Sequence, residues 1–162
     1  MWGSVILIIS LGMMGVVYSS AIGERAKMAE DILSGVKIFR EDIMVMSKGA
    51  KEAAHRAYSE AGAEFFKEIE DMYLSARDSS QDITKLAEST PNIPHRDIRK
   101  VMLTLLLCIA RGDGVGIDDA FNKAIDVCTA TAEAMGQRYK ATAPLFKRLG
   151  FLIGGVISVI ML

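Results

Sequence analysis

The chain begins with a long uncharged segment, which constrains its fold more than any other feature. Residues Trp2–Ile22 carry no charged side chain. As a helix rising ~1.5 Å per residue, they can cross a hydrocarbon core of ~30 Å. We therefore predict an N-terminal transmembrane helix over residues 1–22. A cleaved signal peptide is the alternative, since Ser19-Ser20-Ala21 resembles a cleavage site, but the basic n-region is missing and the segment exceeds a usual h-region.

The chain also ends in apolar sequence, from Leu149 to Leu162. This stretch alone rises only ~21 Å as a helix, but a helix beginning at Pro144 is longer and lets Lys147 and Arg148 reach the headgroups. We predict a C-terminal membrane-associated helix over residues 144–162, with a kink at Pro144 just before it. The alternatives are a terminal helix buried in the soluble domain and a helix that lies in the membrane interface.

The region between these ends, residues 23–143, shows helical periodicity and is expected to form a soluble helical bundle. Its first stripe runs on from the N-terminal segment without an intervening proline and comprises Ile32, Val36, Phe39, Ile43 and Met46. Steps of three and four place these side chains on one helix face. Few prolines and no alternating β-branched runs argue against an all-β fold. The predicted class is all-α: an antiparallel helical bundle with N-terminal and C-terminal membrane-anchoring helices.

Turn-forming residues divide the bundle into further helices. We predict a turn at 47–49, helices over 50–60 and 63–76, a capped short helix over 79–88, a loop over 89–94, a helix over 95–111, a glycine-rich turn over 112–116 and a helix over 117–141. The apolar faces assigned to these helices comprise Ala53, Ala54 and Ala57; Phe65, Ile69, Met72 and Tyr73; Ile98, Val101, Met102, Leu105 and Ile109; and Ile117, Phe121, Ile125, Cys128, Met135 and Tyr139.

Charge indicates orientation and excludes one class of partner. The balance of 19 Lys and Arg against 20 Asp and Glu lacks the basic excess of nucleic-acid-binding proteins. Basic residues nevertheless flank both apolar ends on the side of the middle region: Arg25, Lys27, Arg138, Lys140, Lys147 and Arg148. If both ends span, the positive-inside rule places the soluble region in the cytoplasm.

No residue pattern predicts catalysis. His55 and His95 lack metal-ligand spacing, and Arg111-Gly112-Asp113 lacks the Lys-Ser/Thr of a phosphate-binding loop and is expected to form a helix–helix turn. Glu64, Glu68 and Asp71 are spaced as a solvated helix face, and the two cysteines, Cys108 and Cys128, are expected to be buried and reduced. We predict no enzyme, catalytic residue, cofactor, metal or small-molecule substrate.

Two short sequences resemble those of a known family. Gly23-Glu24-Arg25 follows the first apolar segment, and Phe146-Lys147-Arg148-Leu149-Gly150 opens the last one. Their order and spacing resemble the stage III sporulation protein AB family of endospore-forming bacteria. The chain departs from the family pattern in lacking prolines at Lys48–Glu52, in having Phe146 for Tyr and Arg148 for Ser, and in matching the family's Leu-Gly-x-Ser-Asp turn only loosely at residues 111–113.

The resemblance implies a non-enzymatic membrane protein of the channel assembly that joins mother cell and forespore. It implies a bundle similar to the cytoplasmic domains of type II secretion and type IV pilus platform proteins, held in the mother-cell membrane around the forespore. The expected partners are membrane lipid and other stage III sporulation proteins, including a secretion-ATPase-like one. Interaction candidates at the two motifs are Glu24, Arg25, Leu149 and Gly150. A secreted helical protein and a platform-like subunit of another secretion system are the alternatives.

Overall fold

The computed structural model describes residues 2–79, 93, 95–112 and 114–160, and the described residues contain helices and turns but no strand. The all-α class is therefore confirmed. The elements are α1 (Trp2–Arg40), a π-helical turn (Glu41–Val45), α2 (Ala50–Ala61), α3 (Glu64–Ser79), α4 (Arg96–Arg111) and α5 (Gly114–Ile160).

The chain folds into two compact units. Unit 1 comprises Met1–Lys27 and Glu133–Leu162, and unit 2 comprises Met28–Ala132. Helices α1 and α5 contribute residues to both units, whereas α2, α3 and α4 belong to unit 2.

Unit 1 consists of the first part of α1 packed against the last part of α5. The rings of Tyr18 and Phe146 lie 4.7 Å apart between centroids. A Cβ placed on Gly23 would lie 2.9 Å from the Tyr139 ring, so the glycine permits a close approach of the two helices. Since the α1 position rises from 18 to 23 while its α5 partner falls from 146 to 139, the two segments are antiparallel.

The core of unit 2 is built around three fully buried phenylalanines. Phe39 of α1 lies 5.8 Å from Phe66 of α3 and 5.9 Å from Phe121 of α5, between ring centroids. Separations in this range, with tilted rings, are the favoured geometry of aromatic pairs. Other fully or almost fully buried side chains of unit 2 are Ile32, Val36, Ile69, Ile98, Met102, Leu105, Leu106 and Cys128. Burial of each large apolar side chain contributes about 1.5–3 kcal/mol.

Helices α2 and α3 form an antiparallel hairpin. Gly62 ends α2 in the left-handed region at φ 73°, and its N–H donates to the carbonyl of Tyr58. His55 and Glu70 are about equally far from this turn in sequence, and His55 Nδ1 lies 2.9 Å from Glu70 Oε2. The predicted small face is confirmed, because Ala53, Ala54 and Ala57 are all fully buried. The predicted α3 face is likewise buried at Phe65, Ile69 and Met72, whereas Tyr73 is half-buried.

The first helix runs from the N-terminal segment into the bundle as predicted, but its apolar stripe stops earlier. Ile32, Val36 and Phe39 are buried, whereas Ile43 is half-buried and Met46 is exposed. The π-helical turn begins at Glu41, and a turn with i→i+5 bonds changes the angle between successive side chains. The spacing of three and four residues therefore no longer predicts the buried face beyond Phe39. Asp42 is buried there instead of Ile43.

Helix α5 is longer than predicted at both ends. It starts at Gly114, inside the expected glycine turn, and continues through Pro144 to Ile160 as one helix. The sequence predicted that one helix would end at Ala141 and another would begin at Pro144. This prediction was wrong, because the helix is continuous there. Proline cannot donate to the preceding turn, yet flanking residues continue the hydrogen-bonded ladder on either side. Its buried stripe in unit 2 is Phe121, Ala124, Cys128 and Thr131–Ala132, and Ile117 and Ile125 are only half-buried.

Two expectations lie outside what the structure describes. The short helix predicted over 79–88 and most of the loop over 89–94 fall on residues that are not described, apart from Ser79 at the end of α3 and the buried Ile93. Among the described residues, no helix combines the length and apolar character that crossing a bilayer requires. The two anchoring helices remain predictions.

Candidate interaction sites

The four motif residues named from the sequence all belong to unit 1. Glu24 and Arg25 lie on α1, and Leu149 and Gly150 lie on α5. Glu24, Arg25 and Leu149 are exposed. Arg25 lines a cleft together with Arg138, whereas Leu149 lies 11 residues further along α5, a rise of ~16 Å. The cleft therefore brings together Arg25 of the first motif and Phe146 of the second, but its lining includes none of the other three candidates, Glu24, Leu149 and Gly150.

The cleft of unit 1 has a volume of about 300 Å³. Positions 18, 22 and 25 of α1 follow a spacing of four and three, and the α5 positions are likewise spaced by three and four, so each helix contributes one face. The lining residues are Tyr18, Ile22, Arg25, Met135, Arg138, Thr142 and Phe146. A volume of this size is at the lower end of small-molecule pockets.

One end of this cleft is cationic and the other is apolar. Antiparallel packing puts Arg25 and Arg138 at the end away from the Tyr18–Phe146 ring pair. The seven residues from Tyr18 to Arg25 rise ~10 Å along α1. Both arginines are exposed, and neither pairs with a carboxylate among the residues that the structure describes. The Thr142 hydroxyl donates to the carbonyl of Arg138 at 2.6 Å.

A second group of charges surrounds a buried carboxylate in unit 2. Asp42 is fully buried in the π-helical turn. Its Oδ1 accepts a hydrogen bond from Arg56 Nη1 at 2.7 Å and lies 3.2 Å from Lys48 Nζ. Its Oδ2 has no hydrogen-bond partner within the described part of the chain. The Lys48 N–H donates to the Asp42 carbonyl at 2.9 Å, which closes the chain after the turn.

Arg56 joins this carboxylate to the exposed side of α2. Its Nε donates to Glu60 at 2.6 Å, and its Nη1 lies 3.7 Å from Glu41. The hydrogen bonds to Glu60 and Asp42 raise the pKa of the guanidinium, so it stays charged. This arrangement has the form of a structural clamp between the end of α1 and α2. No local sequence signal pointed to Asp42, because Arg56 lies 14 residues away.

The π-helical turn also presents an apolar surface. Met44, Val45 and Met46 are exposed, and Val45 is 78% accessible. Ser47, which follows, has φ 52°, an uncommon left-handed conformation for a residue other than glycine. The π-helical turn thus gives way to non-helical backbone after Val45, and three consecutive large apolar side chains lie in solvent at this point.

The remaining sequence candidates occupy structural positions. His55 pairs with Glu70, and His95 precedes α4 with its Nδ1 3.6 Å from Asp97. Gly112 ends α4 in the left-handed region at φ 68°, so the turn expected at the Arg-Gly-Asp sequence is confirmed up to Gly112; Asp113 is outside the described residues. Both cysteines are free, but only Cys128 is buried, whereas Cys108 is half-buried.

The solvated face expected on α3 was partly wrong. Glu68 is half-buried, and its Oε2 is enclosed without a hydrogen-bond partner among described atoms. Burial raises the pKa of Glu68, and the neighbouring Glu64 and Asp71 raise it further. The part of the chain that the structure describes contains no group of three or more His, Cys, Asp and Glu residues that could hold a metal ion.

The comparisons with known proteins identify one relationship. The family model for stage III sporulation protein AB matches residues 1–162. No curated protein and no solved structure matches the chain. The family match extends over both sequence motifs and the helices between them. The chain therefore belongs to the stage III sporulation protein AB family.

Proposed function

We propose that this protein is a non-enzymatic, membrane-anchored structural component of the channel assembly between mother cell and forespore. Membership of its family implies a role in stage III of sporulation. In our proposal, unit 1 attaches the protein to the membrane, and unit 2 offers surfaces to other stage III sporulation proteins. One of these partners is a secretion-ATPase-like protein.

The observation that carries the membrane attachment is the exposure of large apolar side chains in unit 1. Those exposed on α1 are Met13, Met14, Val16, Val17 and Tyr18, and those on α5 are Leu145, Leu149, Leu152, Ile153 and Val156. Exposed apolar surface beyond scattered single side chains is typical of a membrane or partner contact. Each such side chain moved from water into lipid gains part of the ~1.5–3 kcal/mol of full burial.

Charge distribution supports the same assignment. Unit 1 contains six Lys or Arg and two Asp or Glu, a net charge of +4. Unit 2 contains thirteen Lys or Arg and eighteen Asp or Glu, a net charge of −5. Basic residues beside membrane segments favour the cytoplasmic side and are attracted to its anionic lipids. We therefore propose that unit 2 is cytoplasmic in the mother-cell membrane around the forespore.

A partner contact on unit 2 is best supported at the π-helical turn. Met44, Val45 and Met46 are exposed there, and the Asp42 clamp holds the backbone that carries them. Methionines adapt to a partner's surface because their side chains are flexible and polarisable. The contact proposed here is with a protein of the sporulation assembly.

Membrane attachment is tested by alkaline extraction of membranes from sporulating cells. Val17 and Leu152 are 67% and 64% accessible, so a Val17→Glu/Leu152→Glu variant should lose most of its membrane fraction. Leu74→Glu, an exposed apolar position of unit 2, is the control and should stay bound. Wild-type protein recovered freely soluble in buffer without detergent, and uncleaved, would overturn the attachment.

The assembly role is tested by purification from sporulating cells after mild detergent extraction. Wild-type protein should co-purify with other stage III sporulation proteins, and Val45→Glu should reduce their recovery while remaining membrane-bound. Ala110→Glu, at an exposed position of α4, should not. Recovery of no other sporulation protein would contradict the role. N-terminal sequencing distinguishes the secreted alternative, for which the mature chain would begin near Ile22.

Orientation is tested by cysteine labelling in intact cells. Asn122 is exposed on α5 within unit 2, so Asn122→Cys in a Cys108→Ala/Cys128→Ala background provides one accessible thiol. An impermeant maleimide should fail to label it until the membrane is opened. Labelling in intact cells would refute a cytoplasmic unit 2.

A further inference from the structure

The cleft of unit 1 has the chemistry of a site for one kind of lipid. We infer that it binds a single anionic phospholipid, with the phosphate between Arg25 and Arg138 and an acyl chain running toward Tyr18 and Phe146. This inference rests on the proposed membrane attachment of unit 1 and specifies which membrane component it contacts. The proposal concerns a lipid in a defined position, in addition to general adhesion of the apolar faces.

The cationic end supplies the recognition of the phosphate. Arg25 and Arg138 come from different helices and line the same cleft. No carboxylate among the described residues neutralises either side chain, so both guanidinium groups are available. Arginine forms paired N–H···O bonds with phosphate oxygens. A zwitterionic headgroup also carries an ammonium group, whose positive charge the two arginines would repel.

The apolar end supplies the chain site. Ile22, Tyr18 and Phe146 line the cleft beyond the arginines, and the ring pair lies ~10 Å from Arg25 along α1. Further toward the apolar ends of the chain, Met14 and Leu149 are exposed. The apolar surface therefore continues out of the cleft in one direction, as an acyl chain requires, whereas a free phosphate would use only the arginine end.

Charge complementarity favours the same occupant. The net charge of +4 on unit 1 contrasts with −5 on unit 2, so unit 1 is the part of the chain attracted to an anionic bilayer. The cleft places two of the six basic residues of unit 1 beside its apolar lining. An amphiphile with one negative charge satisfies both features at once.

The test is a binding measurement on the full chain in non-ionic detergent. Phosphatidylglycerol and phosphatidylcholine carrying a fluorophore on one acyl chain are titrated separately, and anisotropy is recorded. Phosphatidylglycerol should bind about tenfold tighter or more, since each of two basic groups favours the anionic headgroup. Arg25→Gln/Arg138→Gln should bring its affinity down to that of phosphatidylcholine.

A matched control keeps the charge change constant. Lys100→Gln/Lys123→Gln removes two exposed positive charges from unit 2 and should leave the preference unchanged. Equal binding of the two lipids, or a preference retained by the arginine variant, would overturn the lipid site. Displacement of phosphatidylglycerol by millimolar inorganic phosphate would assign the arginines to a free phosphate and would also overturn it.

A separate measurement distinguishes failure of the lipid site from failure of membrane attachment. The full chain and the arginine variant are reconstituted with pure phosphatidylcholine vesicles and floated. Both should float with the vesicles, since attachment depends on the apolar faces. If both float but the anisotropy shows no preference, only the lipid site fails; if neither floats, membrane attachment and the inference that rests on it fail together.

Discussion

Arg56 Nη1 donates a 2.7 Å hydrogen bond to Asp42 Oδ1, which links α2 to the fully buried carboxylate of the π-helical turn. Asp42 ends the apolar stripe of α1 with a charge, and burial of a charge requires a partner. Lys48 supplies a second cation at 3.2 Å. This clamp ties the π-helical turn to α2, next to the exposed Met44, Val45 and Met46.

Removal of the clamp should destabilise unit 2 and disturb the turn. Arg56→Gln leaves Asp42 buried with Lys48 as its remaining cation, so we expect Tm to fall by about 3–6 °C. In the Asp42→Asn background the same change should have a smaller effect, because no buried charge is then left unpaired. Thermal unfolding followed by circular dichroism measures both. Equal effects in the two backgrounds would mean that the pair is not coupled.

Gly35 should not tolerate even a methyl group. A Cβ at this position would lie 2.1 Å from the ring of Phe66, which is fully buried and packed against Phe39. The ring cannot move aside freely, so Gly35→Ala should lower the free energy of unfolding by about 1–3 kcal/mol. The measurement is urea unfolding of the full chain in detergent.

Gly136 provides the matched control for that substitution. It also lies within a helix, but a Cβ there would meet nothing within 4 Å among the described residues. Gly136→Ala should therefore stabilise the protein by about 0.5–1 kcal/mol, the ordinary gain in helix propensity. A stabilising Gly35→Ala would contradict the tight packing of α1 against α3.

Glu68 should make the protein less stable as the pH rises. Burial, followed by the charges of Glu64 and Asp71, raises its pKa above the ordinary 4.5. The folded state then holds a proton that the unfolded state has lost, so the free energy of unfolding falls as the pH rises from about 4.5 to the raised pKa. Glu68→Gln should raise Tm at pH 7 and reduce this pH dependence.

Glu133→Gln is the control for this pH effect, since Glu133 is exposed. It should change neither Tm nor its pH dependence by a comparable amount. A Glu68→Gln variant with lower Tm at pH 7 would indicate that the carboxylate has a stabilising partner.

Cys128 should resist thiol reagents in the folded protein. Its side chain is fully buried, and burial raises its pKa to about 11. Since the thiolate is the reactive form, a Cys108→Ala variant at pH 8 should react with a disulfide reagent about a hundredfold or more slowly than the unfolded chain. The reciprocal Cys128→Ala variant, which retains the half-buried Cys108, should react faster. Rapid reaction of Cys128 would show frequent opening of unit 2.

The amino-acid sequence by itself determined the all-α class, the turns at Gly62 and Gly112, and the small alanine face of α2. These features depend on local rules: apolar spacing, and glycine's access to positive φ. The order of the two short motifs also identified the family from the residues alone. Local sequence patterns were sufficient to predict a feature wherever the residues that determine it lie within one or two helical turns of each other.

Only the tertiary structure decided which residues far apart in sequence meet. Asp42 is buried because Arg56 and Lys48 approach it, the face of α1 ends at a π-helical turn, and α5 continues through Pro144. Arg25 and Arg138, 113 residues apart, share a cleft because Tyr18 packs on Phe146 and Gly23 admits Tyr139. Helical periodicity specifies which face is apolar, but it carries no information about which other helix covers that face; only packing in three dimensions settles that.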